Sequence, residues 1–339
     1  MANELEPPSR QARGGNIKKV AFFAAKLLVT GACFWYASRQ IDLSQVLSAI
    51  PRLDFRWAAF ATLLVILQIP LLAARWCKVV EALAVRNAQM SSVTMIVLTG
   101  IGVFFGQILP SVAGEGVRAW LLVRLGCDWR NALTSVVIDR GIGLGLLVAM
   151  GFFILLLPSS LTALGGYRDL VAVVYGVLIL AGGFGLIFVP TIILPLVRWR
   201  YFRWFATLAT DVHRVLLGPH GPMIVGIGIL IHLLTIVVLW SLGRAQGLAF
   251  PLSDAAVLLI VMVGVTLVPI SIGGWGLREL AVVSLLGNHG VSPEKALLFS
   301  VCFGLTLAIG SLPGAVAWLV YSFRPARPGG GVPHHRDPS

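Results

Sequence analysis

Leu109-Pro110-Ser111-Val112-Ala113-Gly114-Glu115-Gly116-Val117-Arg118 closes an apolar run with a proline, then resumes with two glycines and two charges. The same design returns at Pro269 and through Gly273-Gly274-Trp275-Gly276-Leu277-Arg278-Glu279. Both stretches contain Gly-x-Gly-x-Arg. Each is followed by a second matched pair, Gly126 with Ala132 and Gly290 with Ala296, and the spacing inside the two pairs is identical. Two hydrophobic segments broken in corresponding places, with a charge at each break, point to a substrate site in a transporter built from internal repeats.

Composition sets the environment of these breaks. Of 339 residues, 58% are hydrophobic and only 12% charged, with a mean hydropathy of +0.90. That leaves too little polar surface to cover a soluble globule, so the chain reads as a polytopic membrane protein. Apolar runs of about 20 residues, the length that crosses a bilayer, recur from Val20 to Tyr321. The formal charge of +12 lies in short loops between these runs, a positive-inside pattern and not a nucleic-acid face. Cys33, Cys77, Cys127 and Cys302 have neither metal-ligand nor disulfide spacing and read as small buried hydrophobes. No nucleophile elbow, P-loop or zinc motif is present, and the glycine motifs follow no strand, so neither an enzyme nor a dinucleotide-binding reading fits. No cofactor or metal is expected.

Charge also orders the spans. Arg10, Arg13, Lys18 and Lys19 place the amino terminus in the cytoplasm, and the first span, Val20 to Ser38, reads as uncleaved. Ile41 to Arg56 has helical apolar spacing and reads as an amphipathic surface helix. A span from Trp57 to Trp76 returns to an inner cluster of Arg75, Lys78 and Arg86. Ser91 to Leu109 enters, breaks at Pro110, and returns as a short helix from Gly114 to Arg124. Spans over Ala132–Leu157 and Val171–Val197 lead to Arg198, Arg200, Arg203 and Arg214, whose interleaved aromatics read as an interfacial anchor in preference to a lipid-headgroup site. Met223–Leu242 leads out, the second broken segment covers Asp254 to Leu286, and a last span runs from Lys295 to Arg324. The expected fold is an all-α polytopic membrane protein with about six full spans and two re-entrant helical hairpins related as an inverted repeat. Its parts are a cytoplasmic segment over 1–17, a membrane domain over 18–323 and a disordered tail over 324–339. The tail's His334-His335 is a weak metal signal.

Charges within apolar segments cost about 2.5–3.5 kcal/mol each on insertion scales and need partners or a polar cavity. Glu115 and Arg118 share a helix face and can pair. Gly114 and Gly116 would let the chain turn and another group approach, and the first helical turn would offer unpaired N–H groups to an anionic phosphate. Gly273, Gly274, Gly276, Arg278 and Glu279 repeat this logic. Asp139 and Arg140 are sequence neighbours about 100° apart on a helix, so each needs a partner elsewhere; Arg118–Asp139 and Glu115–Arg140 are the plausible pairs. Lys26 reads as a snorkelling side chain, and His232 as a hydrogen-bonded structural histidine. Gly141, Gly143 and Gly145, with Gly182, Gly183 and Gly185, read as surfaces of close helix packing.

With Pro313-Gly314 added, these motifs resemble the transmembrane domain of lysylphosphatidylglycerol synthases, which also occurs alone in a broad superfamily of flippase-like proteins. The resemblance covers Lys18 to Phe323. It implies a helical domain that moves a lipid between leaflets, here as a stand-alone member without the soluble aminoacyltransferase domain. Stand-alone relatives are associated with hopanoid biosynthesis and with polyprenyl-linked glycan pathways. The expected function is a flippase or transporter of an anionic or modified lipid in the bacterial inner membrane, with both termini cytoplasmic. Arg118 and Arg278 would hold the headgroup, balanced by Glu115, Asp139 and Glu279. The alternative is a lipid-binding accessory subunit for a separate lipid-modifying enzyme. Membrane lipids are the expected partners, with no nucleic acid.

Overall fold

The computed structural model describes residues 53–85, 87, 90–108, 111–156, 168–196, 203–267, 277–287 and 290–322. These residues form the helices α1 Phe55–Ala82, α2 Ser92–Ile108, α3 Ser111–Arg124, α4 Trp129–Leu155, α5 Arg168–Leu196, α6 Arg203–Leu217, α7 Gly221–Ala245, α8 Leu252–Leu267, α9 Leu277–Gly287 and α10 Pro293–Ser322. Four of them, α1, α4, α7 and α10, are long and apolar enough to cross a membrane, and α5 adds a helix of 29 residues. The chain is a multi-pass α-helical membrane protein. The expected span at Val20–Ser38, Lys26 within it, the Arg198 and Arg200 pair and the carboxy-terminal tail lie outside the described residues.

The two broken segments form the expected hairpins. With 14 residues in α3 and 11 in α9, these arms measure about 21 and 16 Å at 1.5 Å per residue. Neither reaches across a hydrocarbon core of about 30 Å. α3 begins at Ser111, so Gly114 sits one turn inside the helix and not at its start. Its lack of a side chain serves helix contact: a Cβ there would lie 2.6 Å from the Gly102 carbonyl oxygen and 2.7 Å from the Gly106 Cα on α2. Gly116 faces open space, so it takes part in neither the turn nor a close approach.

The turns after the hairpins match bond for bond. Gly126 and Gly290 have positive φ of 87° and 74°, the left-handed conformation that ends a helix and favours glycine. The Cys127 N–H donates to the Leu122 carbonyl at 3.3 Å, and the Val291 N–H to the Leu286 carbonyl at 3.2 Å. The next long helix then starts in the same way, with the Ala132 N–H on the Asp128 carbonyl and the Ala296 N–H on the Ser292 carbonyl. Both alanines are fully buried. The turns before the hairpins correspond too. Gly247 has φ 68° and Ala84 has φ 55°, and their successors Leu248 and Val85 donate to the Gly243 and Val80 carbonyls.

Packing extends the correspondence to the whole bundle. Exchanging α1 with α7, α2 with α8, α3 with α9 and α4 with α10 maps neighbours onto neighbours: α2 packs on α10 as α8 packs on α4, and α1 on α10 as α7 on α4. α1 and α7 pack against each other in opposite directions. The Asp54 N–H donates to the Ala245 carbonyl at 2.8 Å, Trp57 meets Trp240 edge-on, and the Thr235 hydroxyl donates to Gln68 Oε1 at 3.3 Å. Equivalent helices that run antiparallel make the repeat inverted. Close backbone approach at Gly100 on α2 and Gly314 on α10 seals one of the exchanged interfaces.

α6 is an element the sequence reading missed, because Arg203 and Arg214 read only as part of a basic cluster at the membrane interface. Strong amphipathicity makes it a helix that shelters one apolar face, with Ala206 and Val215 buried.

Candidate functional site

Asp139, in the middle of α4, is 1% exposed and organises the charges around it. Its Oδ2 accepts from Arg118 Nη2 at 3.0 Å and its Oδ1 from Arg75 Nε at 2.9 Å. Arg118 Nη1 also donates to Glu115 Oε2 at 2.8 Å. Arg140 Nη1 lies 3.5 Å from Glu115 Oε1, with 58% of its side chain exposed. The pairs Arg118–Asp139 and Glu115–Arg140, expected from the cost of intramembrane charge, are both formed.

Arg75 belongs to this cluster and not to an inner-surface group. α1 continues past Trp76 to Ala82, which carries Arg75 into the buried interior, where it is 4% exposed. A glycine makes room for it: a Cβ on Gly143 of α4 would lie 3.1 Å from Arg75 Nη1. Next to Arg75, Trp76 places its ring under the Arg118 guanidinium, 4.1 Å from Cζ to centroid. The indole N–H donates to Ser135 Oγ at 3.3 Å. Such a stack adds to the hold on a desolvated cation. His232 has the expected structural role, its Nε2 2.9 Å from the Gly143 carbonyl oxygen.

Three arginines and two carboxylates therefore meet in one membrane-embedded cluster, with one positive charge in excess. Arg118 Nε is buried without a hydrogen-bond acceptor. A buried donor of that kind is costly unless something completes it. An anion placed there would supply both the missing acceptor and the missing negative charge.

The second motif is built differently. Arg278 and Glu279 at the start of α9 are 4% and 1% exposed. Arg278 Nη2 donates to Glu279 Oε1 at 2.7 Å, and Ser300 Oγ on α10 donates to the same oxygen at 2.9 Å. The Arg278 guanidinium lies 5.8 Å from the centroid of the Phe303 ring. In the register fixed by the matched turns, Phe303 stands where the first repeat has Asp139, and Val238 where it has Arg75. Apolar residues thus replace the pair that anchors the first site. Gly273, Gly274 and Gly276 lie outside the described residues. The two arginines have different neighbours: Trp76 and Ala119 of the Arg118 site belong to one apolar cluster, and Val282 and Phe303 beside Arg278 to another.

The glycine runs also need correction. Of Gly141, Gly143 and Gly145, only Gly143 packs closely; a Cβ on either of the others would meet nothing within 4 Å, and the same holds for Gly182, Gly183 and Gly185. They border a cavity. No curated protein and no solved structure matches the chain. The family model for the lysylphosphatidylglycerol synthase TM region matches residues 23–314, most of the chain, and agrees with the polytopic helical bundle and its duplicated motifs, so the protein belongs to that family.

Proposed function

We propose that the protein is a lipid flippase that moves an anionic or modified lipid between leaflets of the inner membrane, with the cluster around Arg118 as its headgroup site. The family supports a membrane lipid-related role. The observation that carries the finer reading is the excess positive charge in the cluster, together with the buried Arg118 Nε that lacks an acceptor. A phosphate diester offers one negative charge and several acceptor oxygens, which suits this deficit. Exposed Arg140 is the group an arriving headgroup would meet first. The inverted repeat provides two states of similar packing, between which the site would alternate its exposure.

Arg118→Ala tests this reading cleanly, because its loss leaves Arg75 on Asp139 and Arg140 on Glu115, two cations against two anions. The variant is therefore expected to insert and fold. In proteoliposomes with fluorescent phosphatidylglycerol and an impermeant quencher, wild type should transfer label between leaflets and Arg118→Ala should not. Full transfer by the variant would remove Arg118 from the mechanism. Wild-type protein that retains phosphatidylglycerol in native mass spectrometry yet transfers none would favour the accessory role, presenting lipid to a separate lipid-modifying enzyme.

A further inference from the structure

The cavity bordered by the open glycines is a feature of the bundle that the charge cluster does not explain. It has a volume of about 1030 Å3 between α4, α5, α6 and α7, and every described residue lining it is Gly, Ala, Val, Ile or Leu. Native interiors hold few voids larger than a water molecule, so this is not a packing defect. Without polar groups it would not hold ordered water, and an empty space of that size would forfeit dispersion contacts along all its walls. Leu178, Gly182 and Gly183 on its border are exposed, so the cavity opens on the flank of the bundle. In a bilayer the material at that flank is hydrocarbon.

Its shape and its end narrow the occupant. Along α4 the lining runs from Val137 to Ala149, about 18 Å at 1.5 Å per residue, close to the depth of one leaflet's hydrocarbon, half of about 30 Å. Arg140, whose side chain is more than half exposed, precedes Gly141 near one end of that lining. Two residues bind these parts into one design: Ile138 and Gly141 line the groove, while Asp139 and Arg140 between them belong to the charge cluster.

We infer that this groove seats an acyl chain of the anionic phospholipid whose headgroup engages the cluster at Arg140 and Arg118. Gly141 and Gly145 on α4, with Gly182, Gly183 and Gly185 on α5, hold the groove open by lacking side chains. The assignment rests on the lipid-handling reading of the charge cluster and adds to it where the chain lies.

The test uses full-length protein in vesicles containing phosphatidylglycerol with a diazirine on one acyl chain. Photolysis and peptide mapping then locate the adducts, and leaflet transfer is measured on the same preparation. Adducts should concentrate within 137–149 and 178–185. They should fall about tenfold in Gly145→Leu/Gly182→Leu, where leucines fill the groove and would compete with the chain for space. Both positions face open space, so the variant is expected to fold. Labelling of the exposed α10 surface at Leu305, Ile309 and Leu312 serves as the bulk-lipid reference. Adducts no denser in the groove than on that surface, or undiminished by the leucines, would overturn the assignment and leave the groove to another part of this chain or a second copy. Groove adducts that vanish in the leucine variant while wild type shows no leaflet transfer would support the acyl site and refute the flippase reading.

Discussion

Replacing Asp139 by Phe, the residue at the equivalent place in the second repeat, removes the one acid that both Arg75 and Arg118 hold. Arg118 keeps Glu115 at 2.8 Å, while Arg75 loses its bond at 2.9 Å and remains buried. Breaking a buried pair from one side costs about 3–5 kcal/mol, because a charge is left uncompensated. Arg75→Val alone is gentler. It leaves Asp139 with Arg118 and equalises the charges in the cluster, so the expected cost is that of one charged hydrogen bond, about 1.5–3 kcal/mol. The informative variant is the double one, Arg75→Val/Asp139→Phe, which copies Val238 and Phe303 into the first repeat. With no orphan charge left, it should be more stable than Asp139→Phe alone by about 2 kcal/mol, within the range of coupling between contacting residues.

The assay is cooperative unfolding of purified protein in mixed micelles of increasing SDS fraction, followed by far-UV circular dichroism, with Asp139→Asn as a control of similar size. Asn keeps the shape but not the charge, so it should behave like Asp139→Phe and should also be rescued by Arg75→Val. Costs that simply add, with coupling below about 0.5 kcal/mol, would show that Arg75 and Asp139 do not depend on each other. The account of the cluster given above would then fail.

Gly114→Leu should destabilise the protein by about 1–3 kcal/mol by forcing α3 off α2, whereas Gly116→Ala, facing open space, should stay within about 0.5 kcal/mol of wild type in the same titration. Gly126→Ala and Gly290→Ala should each cost about 1–2 kcal/mol, because both residues hold left-handed backbone that a Cβ opposes; a neutral result at either would contradict the matched turns. Burial and the nearby Asp128 push the Cys127 thiol above its ordinary pKa. Since the thiolate is the reactive form, maleimide labelling at this loop cysteine at pH 7.5 should be slow in native micelles and should rise as the pH is raised or the protein is unfolded by SDS.

Intramembrane charge and broken apolar runs were the legible parts of this chain. Each has a cost that a sequence displays without its fold. Glu115 and Asp139 needed cations once placed in apolar segments, and Arg118 and Arg140 were near enough in sequence to be named as partners, while a proline closing an apolar run marked the boundary between α2 and α3. Arg75 was not legible, because an arginine some 20 residues into an apolar run, with Lys78 just beyond, matches the flank that ends a span. Only the continuation of α1 to Ala82 and the gap at Gly143 turn it inward. The glycine runs misled for a related reason. A helix face without side chains can receive another helix, as Gly114 and Gly100 do, or leave a space, as Gly141 and Gly145 do, and one strand of sequence does not say which partner stands opposite.

The unequal repeats bear on how such a protein would work. Two halves related by inversion supply a bundle that can pack in two ways, but identical sites would offer a charged lipid two competing wells. Here the motif glycines and arginines are duplicated, whereas Arg75 and Asp139 face Val238 and Phe303 in the other half. The turn geometry that shapes both halves has been kept, down to Gly126 and Gly290. What differs is the charge placed within it. On this view Arg278, bonded by its own neighbour Glu279 and by Ser300, fixes the second hairpin, while Arg118, with a buried donor still open, is the arginine left to bind. Native mass spectrometry separates the two roles. Arg118→Ala should lose retained phosphatidylglycerol under conditions where it is folded, and Arg278→Ala, which removes the guanidinium from Glu279 and leaves it the Ser300 hydroxyl, should retain lipid under conditions where it is folded. The reverse pattern would assign the binding site to the second repeat.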